Sequence, residues 1–256
     1  MVMFTFYTML EYLPMDRIER LKSFFKIRER DTALIDLDGT LLDSRWAFVV
    51  QMMKASAVLG TPFEYLDKAV NENRHDHLVH PTIMPASVNS VAKRMNIGNN
   101  DPRLELALEH VGRIYTRGSL YKPFPGAIET VKELRSAGLK TILVTHGGEK
   151  YTGVKIDTND MRSLFDLIIC LDTTRQKSEQ WEDEVFKKYE IMPSKSVGIG
   201  DNYPADLKVP KEFDAMVVWV GTGKGFNSEK NIITSYEHDY QIAGIGGLVD
   251  KLIEIE

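Results

Sequence analysis

Residues 32–44 have the sequence TALIDLDGTLLDS, in which an apolar run ends at two aspartates, Asp36 and Asp38. The run is typical of a buried parallel strand, where a carboxylate is costly unless it is neutralised or bound to a cation. Because side chains alternate along a strand, the two carboxylates share a face and repel each other unless a positive charge lies beside them. The pair predicts a metal site, or a site for a phosphate with its metal.

Composition and charge favour a globular protein with a small partner. The chain has 256 residues, of which 43% are hydrophobic and 27% are charged, and its net charge is -5. That length suffices for one domain with a large core, or for a core with a smaller module. Because basic residues are not in excess, the chain is poorly suited to neutralise a nucleic-acid backbone or to cover an anionic membrane. We therefore expect neither as a partner.

Two features bear on cellular location. The single cysteine, Cys170, cannot form an internal disulfide and lies in the apolar run DLIICLD, so we expect a buried structural thiol and a reducing cytoplasm. The apolar start MVMFTFYTML is about half as long as a membrane span and lacks the features of a secretory signal. Residues 1–30 are interpreted as an N-terminal extension that docks on the domain, with a dimer contact or a membrane-surface foot as the alternative.

Strand and helix signals alternate from residue 31 onward, which predicts an α/β domain with a parallel sheet. The predicted strands are the apolar runs at residues 33–37, 140–146, 165–172, 195–200 and 215–221. In open parallel sheets, ligands bind beyond the carboxyl ends of the strands. The polar side chains at these ends, or just past them, are Asp36, Asp38, Thr145, Lys177, Asp201 and Asp206. Six such residues at one edge predict a binding or catalytic site.

Residues 45–121 interrupt the alternation, and their periodicity predicts four helices that pack together as an inserted module. The first helix is expected to bury the apolar stripe Trp46, Val49, Val50, Met53 and Ala57. The module is either a passive embellishment or a lid, because two short segments join it to the rest of the chain. Its segment NRHDHLVH, with His75, His77 and His80, is either a solvated linker or a loop that contacts substrate, and its spacing fits no structural zinc finger.

These motifs resemble those of the haloacid dehalogenase (HAD) superfamily, and specifically of its phosphatase branch. DLDGT resembles the first family motif, Thr145 at the end of ILVTH the second, Lys177 the third, and GDNYPAD the fourth. The resemblance covers residues 31 to about 250. It implies a Rossmann-like parallel sheet core, residues 31–44 and 122–256, with residues 45–121 inserted as an α-helical C1 cap.

The resemblance implies a magnesium-dependent phosphatase that hydrolyses small phosphomonoesters through an aspartyl-phosphate intermediate. Asp36 would attack phosphorus, and Asp38 would act first as general acid and then as general base. Mg²⁺ would be held by the carboxylates of Asp36 and Asp201 and by the main-chain carbonyl of Asp38. A small phosphorylated metabolite is the expected substrate.

The remaining site residues have supporting roles in the same comparison. Thr145 and Lys177 would hold the transferring phosphoryl group, together with the main-chain N–H of His146, a position where the family commonly has Asn. Asp206 would orient Lys177 or a metal-bound water, and Asn202 is a further supporting residue. Pro210 is expected to shorten the helix after the fourth motif to about one turn.

Other functions remain open at this point. Within the resemblance, Asp38 argues against dehalogenases, which lack this second Asp, and against phosphonate hydrolases and ion-pumping ATPases, which have Ala and Thr there. It leaves sugar phosphomutases as an alternative to phosphatases. A noncatalytic module that binds phosphorylated ligands is a third hypothesis, against which the four intact motifs argue. The sequence identifies neither the physiological substrate nor the oligomeric state.

Overall fold

A parallel β-sheet forms the centre of the molecule. The computed structural model describes residues 16–76, 80–221 and 237–254, without the side chains of residues 74–76, 80 and 81. Along the chain the strands are β1 (Thr32–Ile35), β2 (Leu42–Asp43), β3 (Lys122–Pro123), β4 (Lys140–Thr145), β5 (Leu167–Cys170), β6 (Ser196–Gly200), β7 (Met216–Val220) and β8 (Tyr240–Ile242). Six of them form one parallel sheet in the order β5-β4-β1-β6-β7-β8, and β2 pairs with β3 antiparallel.

Helices cover the sheet and form a separate group after β2. They are α1 (Arg17–Ile27), α2 (Ser44–Leu59), α3 (Phe63–Asp76), α4 (His80–Arg94), α5 (Pro102–Thr116), α6 (Ala127–Ser136), α7 (Glu149–Thr158), α8 (Lys208–Glu212) and α9 (Leu248–Ile253). Two segments, Trp181–Lys187 and Tyr203–Leu207, are π-helical. The predicted α/β class with a parallel sheet is confirmed. The sequence patterns missed β8, whose three residues are too few for a periodic signal.

The order of the strands places the carboxyl end of β1 at the centre of one edge of the sheet. β1 lies between β4 and β6, and Ala33, Leu34 and Ile35 are almost completely buried. β1 ends at Ile35, so Asp36 is the first residue past a central strand. Because all the neighbouring strands run parallel, their carboxyl ends converge on the same edge.

Helices α2 to α5 pack against one another and are called the helical module (residues 44–116). The chain enters it after β2 and leaves it before β3, and these two short strands pair with each other as a ribbon. The division of the chain into an extension, a core and a cap stays a prediction. The side chains of His75, His77 and His80 lie outside the described residues, but His75 belongs to α3 and His80 begins α4, so the predicted linker or loop is partly helical.

The prediction for the buried face of α2 is wrong. Trp46 is 64% exposed and Met53 is 54% exposed, whereas the opposite face packs against α5. The buried residues of α2 are Ala47, Phe48, Gln51, Met52, Ala55, Ser56 and Leu59. Apolar residues occur all around this helix, so periodicity alone does not select the face that is covered.

Further expectations concern α1, α8 and Cys170. Leu21, Phe24 and Phe25 of α1 are buried, and α1 packs against α9 and α6, while residues 1–15 lie outside the described ranges. α8 contains Pro210 and has five residues, about the predicted single turn, but the π-helical segment Tyr203–Leu207 precedes it directly. Cys170 is partly rather than fully buried. None of the helices in the described ranges is long and apolar enough to cross a bilayer.

Candidate active site

Three carboxylates meet at the edge of the sheet where the strands have their carboxyl ends. Asp36 follows β1, Asp201 follows β6, and Asp206 lies in the π-helical segment after β6. Each offers one oxygen, and these oxygens all lie within 4.8 Å of one another. Asp36 and Asp206 are buried, and Asp201 is partly buried. An all-oxygen cluster of this kind is suited to a hard divalent cation.

Lys177 supplies the positive charge of this cluster. Its Nζ donates to Asp36 Oδ1 at 2.6 Å and lies 2.7 Å from Asp206 Oδ1. The third contact is to the carbonyl oxygen of Val144 at 2.8 Å. An ammonium has three N–H donors, so all three are used and the side chain is held in one position. Lys177 is only 5% exposed.

The cluster carries more negative than positive charge. Burial raises the pKa of Asp36 to about 7, with the charge of Asp206 adding to the effect and Lys177 opposing it. Burial also raises the pKa of Asp201 to about 8, and the charge of Asp36 adds to that effect. For Lys177, burial by itself lowers the pKa, but the carboxylates of Asp206 and Asp36 raise it above its ordinary value. Three carboxylates facing one ammonium favour either a bound cation or a bound proton.

The Gly and Thr of DLDGT complete this cluster, and sequence reasoning assigned neither a role. Thr40 is fully buried, and its Oγ1 lies 3.2 Å from Asp36 Oδ2 and 3.3 Å from Asp201 Oδ1. Gly39 has a φ of +95°, and a Cβ there would collide with the Asp201 carboxylate. Only glycine therefore allows β1 and β6 to bring their aspartates this close.

Asp38 points to a different partner, which the sequence analysis missed. Its Oδ2 accepts a hydrogen bond from Lys155 Nζ of α7. The Lys155 side chain is completely buried, whereas that of Asp38 is 31% exposed. The two aspartates of DLDGT are therefore neutralised separately, Asp36 by Lys177 and Asp38 by Lys155. One signal was available, because Lys155 lies beside Ile156 and three residues after Thr152 on the buried face of α7, an unusual position for lysine.

Thr145 and His146 lie at the end of β4, on the other side of β1. Thr145 is buried at 1% exposure. The His146 ring is exposed, and its Nε2 lies 3.0 Å from the carbonyl oxygen of Asp172 and 2.9 Å from that of Arg175. Because both partners are carbonyl acceptors, Nε2 must carry the proton. The His146 side chain therefore fixes the loop that leads to Lys177.

The loop after β6 is held by main-chain contacts and by two tryptophans. Asn202 contributes its main-chain N–H, which donates to Asp206 Oδ2 at 3.0 Å. Trp219 Nε1 donates to the carbonyl oxygen of Asp201 at 2.8 Å, and Trp181 Nε1 donates to that of Ala205 at 2.7 Å. These contacts fix the position of Asp201 and Asp206 relative to β1.

A family model described as haloacid dehalogenase-like hydrolase matches residues 33–220, more than two thirds of the chain. The chain belongs to this family. The expected superfamily and the expected hydrolase class are thereby confirmed. The matched region begins within β1 and ends with β7, and it includes every residue of the site described above.

Two curated proteins and one solved structure are similar to this chain. A phosphoglycolate phosphatase of Pseudomonas savastanoi pv. phaseolicola is 28% identical over 204 residues, which are 78% of this chain and 71% of that protein. A glyceraldehyde 3-phosphate phosphatase of Pyrococcus furiosus is 22% identical over 233 residues, 88% of this chain and 94% of that protein. A HAD-like hydrolase of Xanthomonas campestris shares the fold with a TM-score of 0.68 at 13% identity, over 89% of this chain and 99% of that one.

Proposed function

We propose that this HAD hydrolase is a phosphatase that acts on small phosphomonoesters, with Asp36 as its nucleophile. The observation that carries the proposal is the separate pairing of the two aspartates, which gives Asp36 and Asp38 different surroundings. Asp36 lies in a buried cluster with Lys177, and Asp38 is partly exposed and contacts Lys155. Two carboxylates in different environments are suited to different tasks. The phosphatase names of the two curated relatives support the reaction class.

The donor set fits Mg²⁺. The carboxylates of Asp36 and Asp201 and the main-chain carbonyl of Asp38 would hold the ion, and the excess negative charge of the cluster favours a divalent cation. Asp206 is assigned a supporting role in this proposal, because its Oδ1 contacts Lys177 and its Oδ2 accepts from the Asn202 main-chain N–H. Mg²⁺ held there would supply positive charge that balances the negative charge of the phosphoryl group.

The chain's own residues would carry out two displacements at phosphorus. A carboxylate oxygen of Asp36 forms a bond to phosphorus while the ester P–O bond breaks, and Asp38 gives its proton to the departing oxygen. Asp38 then removes a proton from a water that attacks the aspartyl-phosphate, which releases inorganic phosphate and restores Asp36. Lys177, Thr145 and the His146 main-chain N–H would bind the transferring phosphoryl group.

We propose further that the helical module is the cap of this enzyme. Its connection through β2 and β3 would let it close over the sheet edge and exclude water from the intermediate. A closed cap leaves room for a metabolite but not for a phosphoprotein or a nucleic-acid duplex. A metabolite substrate and a single partly buried cysteine support a cytoplasmic location.

The test is a phosphate-release screen with Mg²⁺. Its esters are phosphoglycolate, glyceraldehyde 3-phosphate, para-nitrophenyl phosphate and a phosphoprotein. We expect the small esters to be hydrolysed much faster than the phosphoprotein. Asp36→Asn should abolish turnover because an amide cannot form the aspartyl-phosphate, and excess chelator should do the same. The matched control is Asp183→Asn, since Asp183 is exposed on a π-helical segment. Wild-type rates in Asp36→Asn or in chelator would contradict the mechanism.

A further inference from the structure

Lys155 is a buried charge that the proposed chemistry leaves without a role. Its side chain is completely shielded from water, and its ammonium contacts a single carboxylate, Asp38 Oδ2, among the described residues. A buried ammonium is costly unless it is paired and surrounded by favourable groups. An apolar residue at position 155, on the buried face of α7, would be buried at a lower cost in free energy. The lysine therefore calls for a functional explanation.

The two carboxylate oxygens of Asp38 differ in their hydrogen bonding. Oδ2 accepts from Lys155, whereas Oδ1 is buried and has no hydrogen-bond partner among the described residues. A buried acceptor without a donor is destabilising, so a hydroxyl or a water that reached Oδ1 would be bound favourably. Lys155 thus leaves one defined oxygen of Asp38 available for a proton.

Aromatic side chains hold Lys155 in place. Its Nζ lies 4.1 Å from the ring centroid of Tyr151 and 5.2 Å from that of Tyr121. Both rings attract the ammonium through their electron-rich faces. Tyr151 belongs to α7, one turn before Lys155, and Tyr121 lies between α5 and β3. The tyrosine cage is the name used below for Tyr121 and Tyr151.

The tyrosine cage is connected to the helical module. The Tyr121 hydroxyl donates to the carbonyl oxygen of Ile114 in α5 at 2.7 Å. The hydroxyls of Tyr121 and Tyr151 lie 2.5 Å apart. Because Tyr121 has only one proton and gives it to Ile114, Tyr151 must be the donor in that pair. A chain of direct contacts therefore runs from α5 through the cage and Lys155 to Asp38.

We propose that Lys155 is a positioning residue for Asp38, which fixes Oδ1 as the oxygen that exchanges the proton, and that the tyrosine cage ties this position to α5. The inference rests on the proposed phosphatase function, because it assigns Asp38 as the acid and base. Lys155 does not touch substrate in this arrangement. It acts by holding the Asp38 carboxylate, and a displacement of α5 would reach Asp38 through Tyr121.

The kinetic test replaces Lys155 by methionine, which keeps the length of the side chain and removes its charge. We expect Lys155→Met to lower kcat at least about tenfold for ethyl phosphate, whose leaving group needs a proton, while KM changes less than about threefold. The first step with para-nitrophenyl phosphate, whose leaving group departs unprotonated, should slow much less. Equal losses of the first-step rate for the two esters would overturn the proposal. Lys150→Met, at an exposed position of the same helix, is the matched control and should retain wild-type rates.

A double-mutant cycle separates positioning from general damage. In an Asp38→Asn background, Lys155→Met should change the remaining rate less than about twofold, because the group it positions is no longer an acid. Full additivity of the two substitutions would overturn the proposal. Tyr121→Phe removes the hydrogen bond to α5 and should reproduce the leaving-group dependence with a smaller loss, about two- to tenfold. A Tyr121→Phe enzyme with unchanged rates would overturn the connection to α5.

A structural readout keeps this inference distinct from the proposed function. Crystal structures of the wild type and of Lys155→Met need no turnover to be compared. We expect the Asp38 carboxylate to leave its wild-type position in the variant while Asp36 and Lys177 stay in place. An unmoved Asp38 would overturn the inference even if the enzyme is a phosphatase. A wild type that releases phosphate from no ester would contradict the proposed function, and the crystal structures would still decide the role of Lys155.

Discussion

Charged side chains are buried at the sheet edge, whereas large apolar side chains are exposed on α2 of the helical module. The side chains of Asp36 and Lys177 are 10% and 4% exposed, while Trp46 is 64% exposed. At the sheet edge, Asp36 and Asp206 both contact Lys177, and the buried Lys155 contacts Asp38. On α2, the covering helix α5 lies on the other face. Burial in this protein thus follows the partner that is available and not the residue type alone.

The two regions also differ in what a substitution should cost. Removing one partner from a buried ion pair leaves an uncompensated charge, which is strongly destabilising. Removing an exposed apolar side chain loses few contacts, whatever its size. The comparison therefore predicts that replacing a buried lysine lowers the free energy of unfolding strongly, whereas replacing an exposed tryptophan lowers it little. Side-chain hydrophobicity alone suggests the reverse.

The largest expected effect comes from Lys177→Met, which would test the buried side of the comparison. It leaves Asp36 and Asp206 without their cation, so we expect the free energy of unfolding to fall by about 3–5 kcal/mol and phosphate release to be lost. Denaturant unfolding measures the first and a phosphate assay the second. Lys188→Met is the control, because Lys188 is 55% exposed and pairs with Glu184 on the surface. Similar losses of stability in both variants would remove the distinction between buried and exposed pairs.

A pair of substitutions on α2 tests the apolar side. Phe48 is 5% exposed, so Phe48→Ala should lower the free energy of unfolding by about 3–5 kcal/mol through the cavity it leaves. Trp46→Ala should change it by no more than about 0.5 kcal/mol, because most of that side chain is already in contact with water. Chemical denaturation of both variants provides the measurement. A large loss for Trp46→Ala would mean that this face is covered in solution.

The pH dependence of Mg²⁺ binding, which needs no substitution, sharpens the account of the charged region. Since burial raises the pKa of Asp36 to about 7 and that of Asp201 to about 8, both carboxylates retain protons at pH values below these. Mg²⁺ binds the deprotonated forms and must displace those protons. Its affinity should therefore rise by at least about tenfold from about pH 6 to about pH 8.

Calorimetric titration of the wild-type chain with Mg²⁺ at several pH values measures this rise. Fluorescence of Trp219 offers a second readout, because its indole N–H donates to the Asp201 carbonyl. Asp201→Asn is the control and should bind Mg²⁺ weakly at every pH. An affinity that stays constant or falls as the pH rises would contradict the assigned ligands.

The positions of the site residues were predictable because they follow from local patterns. The apolar runs marked β1, β4, β5, β6 and β7, and a general property of parallel sheets placed their carboxyl ends together. Asp36 and Asp201 follow strands of this sheet at the same edge, as expected, whereas the neighbouring order of those two strands was not predicted.

The sequence by itself determined the parallel sheet, the order of the motifs and the family, because strand periodicity and motif spacing are properties of neighbouring residues. Only the tertiary structure decided which lysine neutralises which aspartate, since Lys177 lies 141 residues from Asp36 and Lys155 lies 117 residues from Asp38. It also decided which face of α2 is buried, because that face is selected by contact with α5 and not by the sequence of α2. Contacts between distant segments depend on how elements pack, and no local pattern encodes that packing.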